Sequence, residues 1–129
     1  MKKRLICCAV ALMIAGFCLK AAPTLASDDS KQVTIKGEVI DQPCYESKKE
    51  AGRGEGHKNC AMGCAKRGGQ LAILDDKNTV YSITGDYAEN KNEKLIPFVA
   101  EIVEATGVVT EKDGKKMIAV TSIKKLEMK

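Results

Sequence analysis

Four side chains that can bind soft metal ions or take part in redox chemistry lie in one short segment: Cys44, His57, Cys60 and Cys64. Between His57, Cys60 and Cys64 the spacings are three and then four residues. If a helix extends back to His57, these spacings bring all three side chains to one face, within an arc of about 60°. With Cys44 approaching from the end of a strand, the segment predicts a Cys3His set, the kind that binds Zn(II) tetrahedrally.

Cu(I) is the alternative ion for these four residues, because thiolate and thioether ligands select it. Met62 lies between Cys60 and Cys64 and carries such a thioether. An ideal helix, however, directs Met62 about 140° away from His57. We therefore predict a zinc or copper site at the four residues and a core or surface position for Met62.

A disulfide competes with the metal site, because cysteines of exported proteins meet oxidising conditions. Cys44 paired with Cys60 or Cys64 would tie the first strand to the helix and leave one thiol over. A third alternative is thiol redox chemistry, since the first turn of a helix stabilises a thiolate at Cys60 and Lys58 is close by. The Cys-x-x-x-Cys spacing nevertheless differs from the usual Cys-x-x-Cys oxidoreductase pair. All three alternatives stay open on sequence grounds.

The first 26 residues have the organisation of a signal peptide. Three positive charges in Met1 to Arg4 precede the apolar run Leu5 to Leu19, and small residues lead up to Ala26. The apolar run is shorter than the about 20 residues that span a membrane. We expect cleavage after Ala26, a disordered linker over 27–32 and a periplasmic or secreted domain over 33–126. Cleavage would also remove the remaining cysteines, which are Cys7, Cys8 and Cys18.

Cleavage changes what the composition implies about partners. The leader holds four of the 21 basic residues and none of the 17 acidic residues, so the mature chain has no formal net charge. Binding of nucleic acid or anionic lipid normally needs clustered positive charge. The partners we expect are a metal ion or a protein of the cell envelope, with neither nucleic acid nor membrane. The composition leaves the oligomeric state open.

Little in the sequence indicates an enzyme, and we assign no catalytic residue. There is a single histidine, and the glycine-rich stretch 52–56 lacks the strand-to-helix context of a phosphate-binding loop. A ligand-binding module without metal is a further alternative, which would need a groove lined by exposed Tyr81, Tyr87 or Phe98. With so few aromatic residues, a surface for stacking bases or sugars would be small.

Alternating apolar and polar residues predict a mostly β chain with five strands. These are Val33–Asp41, Gln70–Leu74, Thr79–Thr84, Val99–Glu111 and Lys116–Leu126. Asp113-Gly114 is a strong signal for a tight hairpin between the last two strands, and Gly107 inside a strand predicts a bulge or bend.

One short helix is predicted between the first and second strands. It has Asn59 as its N-cap, runs to Arg67 and is stopped by Gly68-Gly69. The segments Tyr45–Lys58 and Asp86–Lys94 are predicted to be loops, so the candidate helix stands alone beside the strands.

Five short strands with glycine-marked bends resemble an oligonucleotide/oligosaccharide-binding barrel, the OB-fold. The segments GEVIDQPC and HKNCAMGCAKRGG resemble small exported bacterial OB-like domains of unknown function. This resemblance covers most of residues 33–126 and implies a small five-stranded barrel in an extracytoplasmic setting, with no established activity. The predicted helix follows the first strand, whereas a standard OB-fold places its helix after the third.

Overall fold

The computed structural model describes residues 31–127. The predicted signal peptide and residues 27–30 of the predicted linker lie outside the described residues. Lys31 and Gln32 are described, and Gln32 already belongs to the first strand. Over residues 31–127, no helix combines the length and the apolar character that crossing a membrane requires.

Five strands of the described chain form a closed ring. They are β1 (Gln32–Asp41), β2 (Leu71–Asp75), β3 (Val80–Thr84), β4 (Ile102–Lys112) and β5 (Lys115–Lys125). The order around the ring is β1-β2-β3-β5-β4, and β4 closes it by pairing with β1. β3 pairs with β5 in parallel, and the other neighbours pair antiparallel. The mostly β prediction and its five strands are confirmed, with small shifts at the strand ends.

The interior of the ring holds the main hydrophobic core. Side chains alternate across a strand, and along β4 this alternation buries Val103 and Ala105 while their neighbours are partly exposed. The core is lined by Ile35, Val39, Leu71, Ile73, Ile83, Leu95, Val99, Val103, Ile118 and Val120. A smaller cluster covers the other face of β1, where Ile40 packs with Tyr45, Ala72 and Leu74. β1 is therefore buried on both faces as it approaches the helical segment.

The β4–β5 hairpin turns at Asp113-Gly114, where both residues have positive φ (53° and 73°). This is the backbone that an Asp-Gly pair adopts with little strain, and it agrees with the turn prediction. Further along the hairpin the pairing register shifts between Thr106 and Gly107. A Cβ atom on Gly107 would overlap the carbonyl oxygen of Ala119. The predicted bulge therefore requires glycine at this position, because any side chain would collide with the neighbouring strand.

Two helices, α1 (Gln42–Lys48) and α2 (Lys58–Lys66), connect β1 to β2. The prediction of a single helix between these strands was therefore wrong. α1 forms because Asp41 caps it and Pro43 occupies its first turn, where a missing N–H costs nothing.

Two 3-10 turns, Lys49–Gly52 and Glu55–His57, join α1 to α2. With α1, they replace much of the loop predicted over Tyr45–Lys58.

α2 begins two residues earlier than predicted, because His57 is its N-cap residue and Asn59 lies inside the helix. Its end is as predicted. The Gly69 N–H donates to the carbonyl of Cys64 and the Gly68 N–H to that of Ala65, with Gly68 at φ 87°. This is the Schellman arrangement that closes a helix at glycine.

The predicted loop Asp86–Lys94 also contains short helical turns. Gly85–Ala88 is a 3-10 turn, followed by α3 (Glu89–Asn92), a single turn in which Asn90, Lys91 and Asn92 have positive φ. A further 3-10 turn at Ile96–Phe98 lies just beyond the predicted loop. This loop is fixed at Asn92 by hydrogen bonds to residues outside the loop. The buried Asn92 amide donates to the carbonyls of Ala65 and Gly69, at 3.0 and 2.9 Å.

Candidate functional site

Cys44 reaches the site from the first turn of α1. Asp41, the last residue of β1, accepts a hydrogen bond from the Cys44 backbone N–H through Oδ1 at 3.4 Å. The same side chain caps α1, so the strand end, the helix start and the thiol position are set together. Cys44 is half-buried and Asp41 is 2% exposed.

His57, Cys60 and Cys64 reach the site from α2. Ala61 and Ala65 of this helix are buried in the main core, which fixes how the helix is turned about its axis. Each cysteine directly precedes one of these alanines, so Cys60 and Cys64 lie at the edge of the core-facing side, one turn apart. Cys60 is exposed, Cys64 is half-buried and His57 is buried.

The four predicted ligands fall into two overlapping groups. Cys44, His57 and Cys60 place their ligand atoms within 4.8 Å of one another, and Cys44, Cys64 and Asp41 do the same. Cys44 belongs to both groups. The arrangement therefore differs from a single tetrahedron of four equivalent donors, and its centre is the Cys44 thiol.

Two buried polar atoms of the site have no hydrogen-bond partner. They are Oδ2 of Asp41 and Nε2 of His57. Buried polar atoms in folded proteins are nearly always paired, because an unpaired one loses its hydration without compensation. One such atom belongs to each of the two donor groups, so each group contains a buried polar atom that a bound cation would satisfy.

Both half-buried thiols hold their protons more tightly than an ordinary cysteine. Burial, reinforced by the Asp41 carboxylate, raises the pKa of Cys44 to about 11. The neighbouring Asp41 carboxylate and burial also raise the pKa of Cys64, although Arg67, whose Nη2 lies 3.4 Å from the Cys64 sulfur, acts in the opposite direction. Without a bound cation, the side chains of Cys44 and Cys64 are therefore neutral thiols at pH 7.

The described cysteines Cys44, Cys60 and Cys64 are all free thiols, and no disulfide joins them. The basic neighbour expected to favour a reactive Cys60 thiolate is engaged elsewhere. Lys58 Nζ pairs with Glu101 at 2.6 Å and with Glu55 at 3.6 Å. The hydrogen bond to Glu101 raises the pKa of Lys58, so this charge is already compensated by carboxylates.

Met62 is partly buried and packs against the main core. This is the core position expected for it, and its thioether belongs to neither donor group.

Asp41 is the site residue that sequence reasoning missed as a donor. The signal was present, because Asp41-Gln42-Pro43 is a typical helix start. A helix starting there puts Cys44 in its first turn, directly over the capping carboxylate.

The aromatic residues considered for ligand stacking do not gather at one groove. Tyr81 lines a surface cavity of about 480 Å³ together with charged residues of β1 and β2, whereas Tyr87 and Phe98 are not among its lining residues. All three pack partly against the main core. The cavity therefore offers one aromatic face, not a stacking platform.

Comparisons with known proteins find no match: neither a family model, nor a curated protein, nor a solved structure is significantly similar to this chain.

Proposed function

We propose that this chain is a small exported OB-like domain that binds a metal ion, zinc or copper, through Cys44, His57, Cys60 and Cys64. The observation that carries the proposal is the group formed by Cys44, His57 and Cys60, whose ligand atoms lie within 4.8 Å of one another. Thiolate and imidazole are the donors of protein zinc sites, with bonds of about 2.0 to 2.3 Å. The unpartnered Nε2 of buried His57 supplies a lone pair for that bond.

Zinc fits this donor set better than copper. The thioether that would favour Cu(I) belongs to Met62, which packs against the core. The remaining donors are thiolates, one imidazole and the nearby Asp41 carboxylate. Zn(II) accepts all three kinds of ligand.

The order of strands around the ring supports the OB-like part of the proposal. An OB-fold is a five-stranded, partly open Greek-key barrel, and here β1 pairs with both β2 and β4 while β3 runs parallel to β5. The signal-peptide pattern of the first 26 residues supports export. In the cell envelope, we propose a role in holding or delivering the metal, or in supporting a partner protein.

A thiol-redox role is the second candidate, because Cys44 and Cys64 lie in one donor group and are unbonded. The raised pKa values of these two thiols count against a redox role. A nucleophilic cysteine is normally activated by a lowered pKa, whereas a metal site needs only that the ion displaces the thiol proton on binding.

The test is native mass spectrometry of the protein purified from its exporting host, before and after denaturation and thiol alkylation. We expect bound metal that is lost on denaturation, and alkylation of Cys44, Cys60 and Cys64. C44S and C60S should lose the ion bound by the group of Cys44, His57 and Cys60. M62L is the matched control, because it removes a neighbouring sulfur from the core without touching a donor group, and it should retain the metal. A metal-free protein lighter by two hydrogens, with one reactive thiol, would overturn the proposal in favour of a disulfide.

A further inference from the structure

Cys44 is shared by two donor groups that otherwise have no member in common. One group adds His57 and Cys60, and the other adds Asp41 and Cys64. A thiolate sulfur has enough lone pairs to bind two metal ions at once. The position of Cys44 between the groups is the position of a bridging ligand.

The second group has its own sign of a missing cation. Asp41 is 2% exposed, and its Oδ1 is used by the Cys44 backbone N–H while its Oδ2 is buried without a partner. A buried carboxylate is strongly disfavoured unless a positive charge or hydrogen bonds compensate it. Among the described residues, Arg67 is the only basic residue that hydrogen-bonds to a side chain of this group. It contacts the sulfur of Cys64 and not the Asp41 carboxylate.

Charge counting separates one ion from two. When all five donors bind, the Cys44, Cys60 and Cys64 thiolates and the Asp41 carboxylate carry four negative charges, and neutral His57 adds none. A single divalent ion bound by Cys44, His57 and Cys60 balances the two thiolates of that group and leaves the buried Asp41 carboxylate without a compensating charge, whereas two divalent ions balance all four negative charges. Binding of both ions releases the three thiol protons to solvent.

We infer that the site holds two Zn(II) ions bridged by the Cys44 thiolate, one bound by His57 and Cys60 and the other by Asp41 and Cys64. This inference rests on the proposed metal-binding function and extends it to a second site. Zinc is the ion because an aspartate oxygen suits Zn(II), while Cu(I) prefers sulfur. Each ion has three protein donors, so each keeps one coordination position for water or another ligand.

The first experiment counts ions. The protein exported and processed by its host, as in the preceding test, is purified, loaded with Zn(II), freed of loosely bound ions with a weak chelator and measured by native mass spectrometry. We expect two zinc ions per wild-type chain, one in D41N, one in C64S and none in C44S. D41N keeps the shape of the side chain and an oxygen that can cap α1, so folding is preserved. D86N, which alters an exposed acid outside both groups, is the matched control and should retain two ions.

Bridging is tested separately by loading the same protein with ¹¹³Cd. A shared Cys44 sulfur predicts two cadmium resonances that are scalar-coupled to each other, and C64S should show one uncoupled resonance.

One zinc ion in the wild type, retained in D41N, would overturn the two-ion inference and leave the proposed metal-binding function standing. No bound ion in the wild type would overturn both. Two ions without coupling between the cadmium resonances would overturn the bridge.

Discussion

Asp41 and Cys44 are held against each other by the start of α1, where the Cys44 backbone N–H donates to Oδ1 of Asp41 at 3.4 Å. The residue that begins the helix thereby also faces the central thiol of the site. This one contact links the local folding of α1 to the proton affinity of Cys44, because the Asp41 carboxylate helps to raise the pKa of that thiol to about 11.

The first prediction concerns thiol reactivity. Iodoacetamide reacts with thiolates, so at pH 7 it should modify exposed Cys60 first and Cys44 much more slowly in the metal-free protein. The Cys44 rate should rise about tenfold per pH unit until the pH approaches its pKa of about 11. Peptide mapping after timed alkylation measures both rates, and in denaturant the two cysteines should react alike. Fast modification of native Cys44 at pH 7 would instead support the thiol-redox role.

The second prediction separates binding from stability at His57. H57L should weaken zinc binding by about 100-fold or more, since losing even an outer partner of a ligand costs 10- to 100-fold. The unfolding free energy of the metal-free protein should change by less than about 1 kcal/mol, because Nε2 makes no hydrogen bond in the folded protein. Competition titration and denaturant unfolding measure the two effects. If H57L lowers the unfolding free energy of the metal-free protein by as many kcal/mol as it lowers the free energy of zinc binding, His57 stabilises the fold and is not a zinc ligand.

The third prediction concerns the buried amide of Asn92. N92D keeps the shape of the side chain and its tolerance of the positive φ of 60°, but it replaces the donor to the Ala65 and Gly69 carbonyls by an acceptor. Leaving these buried groups unpaired should cost about 1 to 3 kcal/mol of unfolding free energy.

Urea unfolding at pH 7 checks the Asn92 result. N59D, an exposed change in the first turn of α2, is the matched control. It should be neutral or slightly stabilising because a negative charge there is favoured by the helix dipole. Equal stability of N92D and the wild type would show that the amide does not hold the end of α2.

The fourth prediction tests the bulge at Gly107. G107V places side-chain atoms against the Ala119 carbonyl across the β4–β5 pair, and overpacking of this kind costs about 1 to 3 kcal/mol. Thermal unfolding should show a clearly lower midpoint. G56A is the control, because no atom lies within 4 Å of a Cβ at Gly56. A tolerated valine at residue 107 would mean that the register shift does not depend on glycine.

The fifth prediction concerns acid stability. Hydrogen bonds from Lys58 and Lys125 lower the pKa of Glu101 below its ordinary value of 4.5. The stability that this ionised carboxylate contributes is therefore complete above about pH 4.5 and is lost as the pH falls through the lower pKa of the folded state.

E101Q should be less stable than the wild type at pH 7, and the difference should shrink below pH 4. Unfolding measured across this pH range checks the result. E89Q, at an exposed glutamate without an ion pair among the described residues, should follow the wild-type curve. A constant difference between E101Q and the wild type would contradict the ion-pair explanation.

The strands were predictable because their cause is local. Alternation of apolar and polar residues is set by the two-residue period of a strand, and Asp113-Gly114 adopts its turn from its own backbone preferences. The end of α2 at Gly68 was predictable for the same reason. The helix start at Asp41 was equally local, and it was missed because the capping residue was counted only as part of the strand.

The candidate donors Cys44, His57, Cys60 and Cys64 followed from residue type and spacing, which are enough to tell which side chains can do this chemistry. Their division into two groups around Cys44, and the inclusion of Asp41, were decided by the tertiary structure. The physical reason is that α2 is turned by the burial of Ala61 and Ala65 in a core built from distant strands, while α1 is placed by the end of β1. Distances between side chains on two separately anchored helices depend on that packing, so they cannot be predicted from the spacing of residues along the chain.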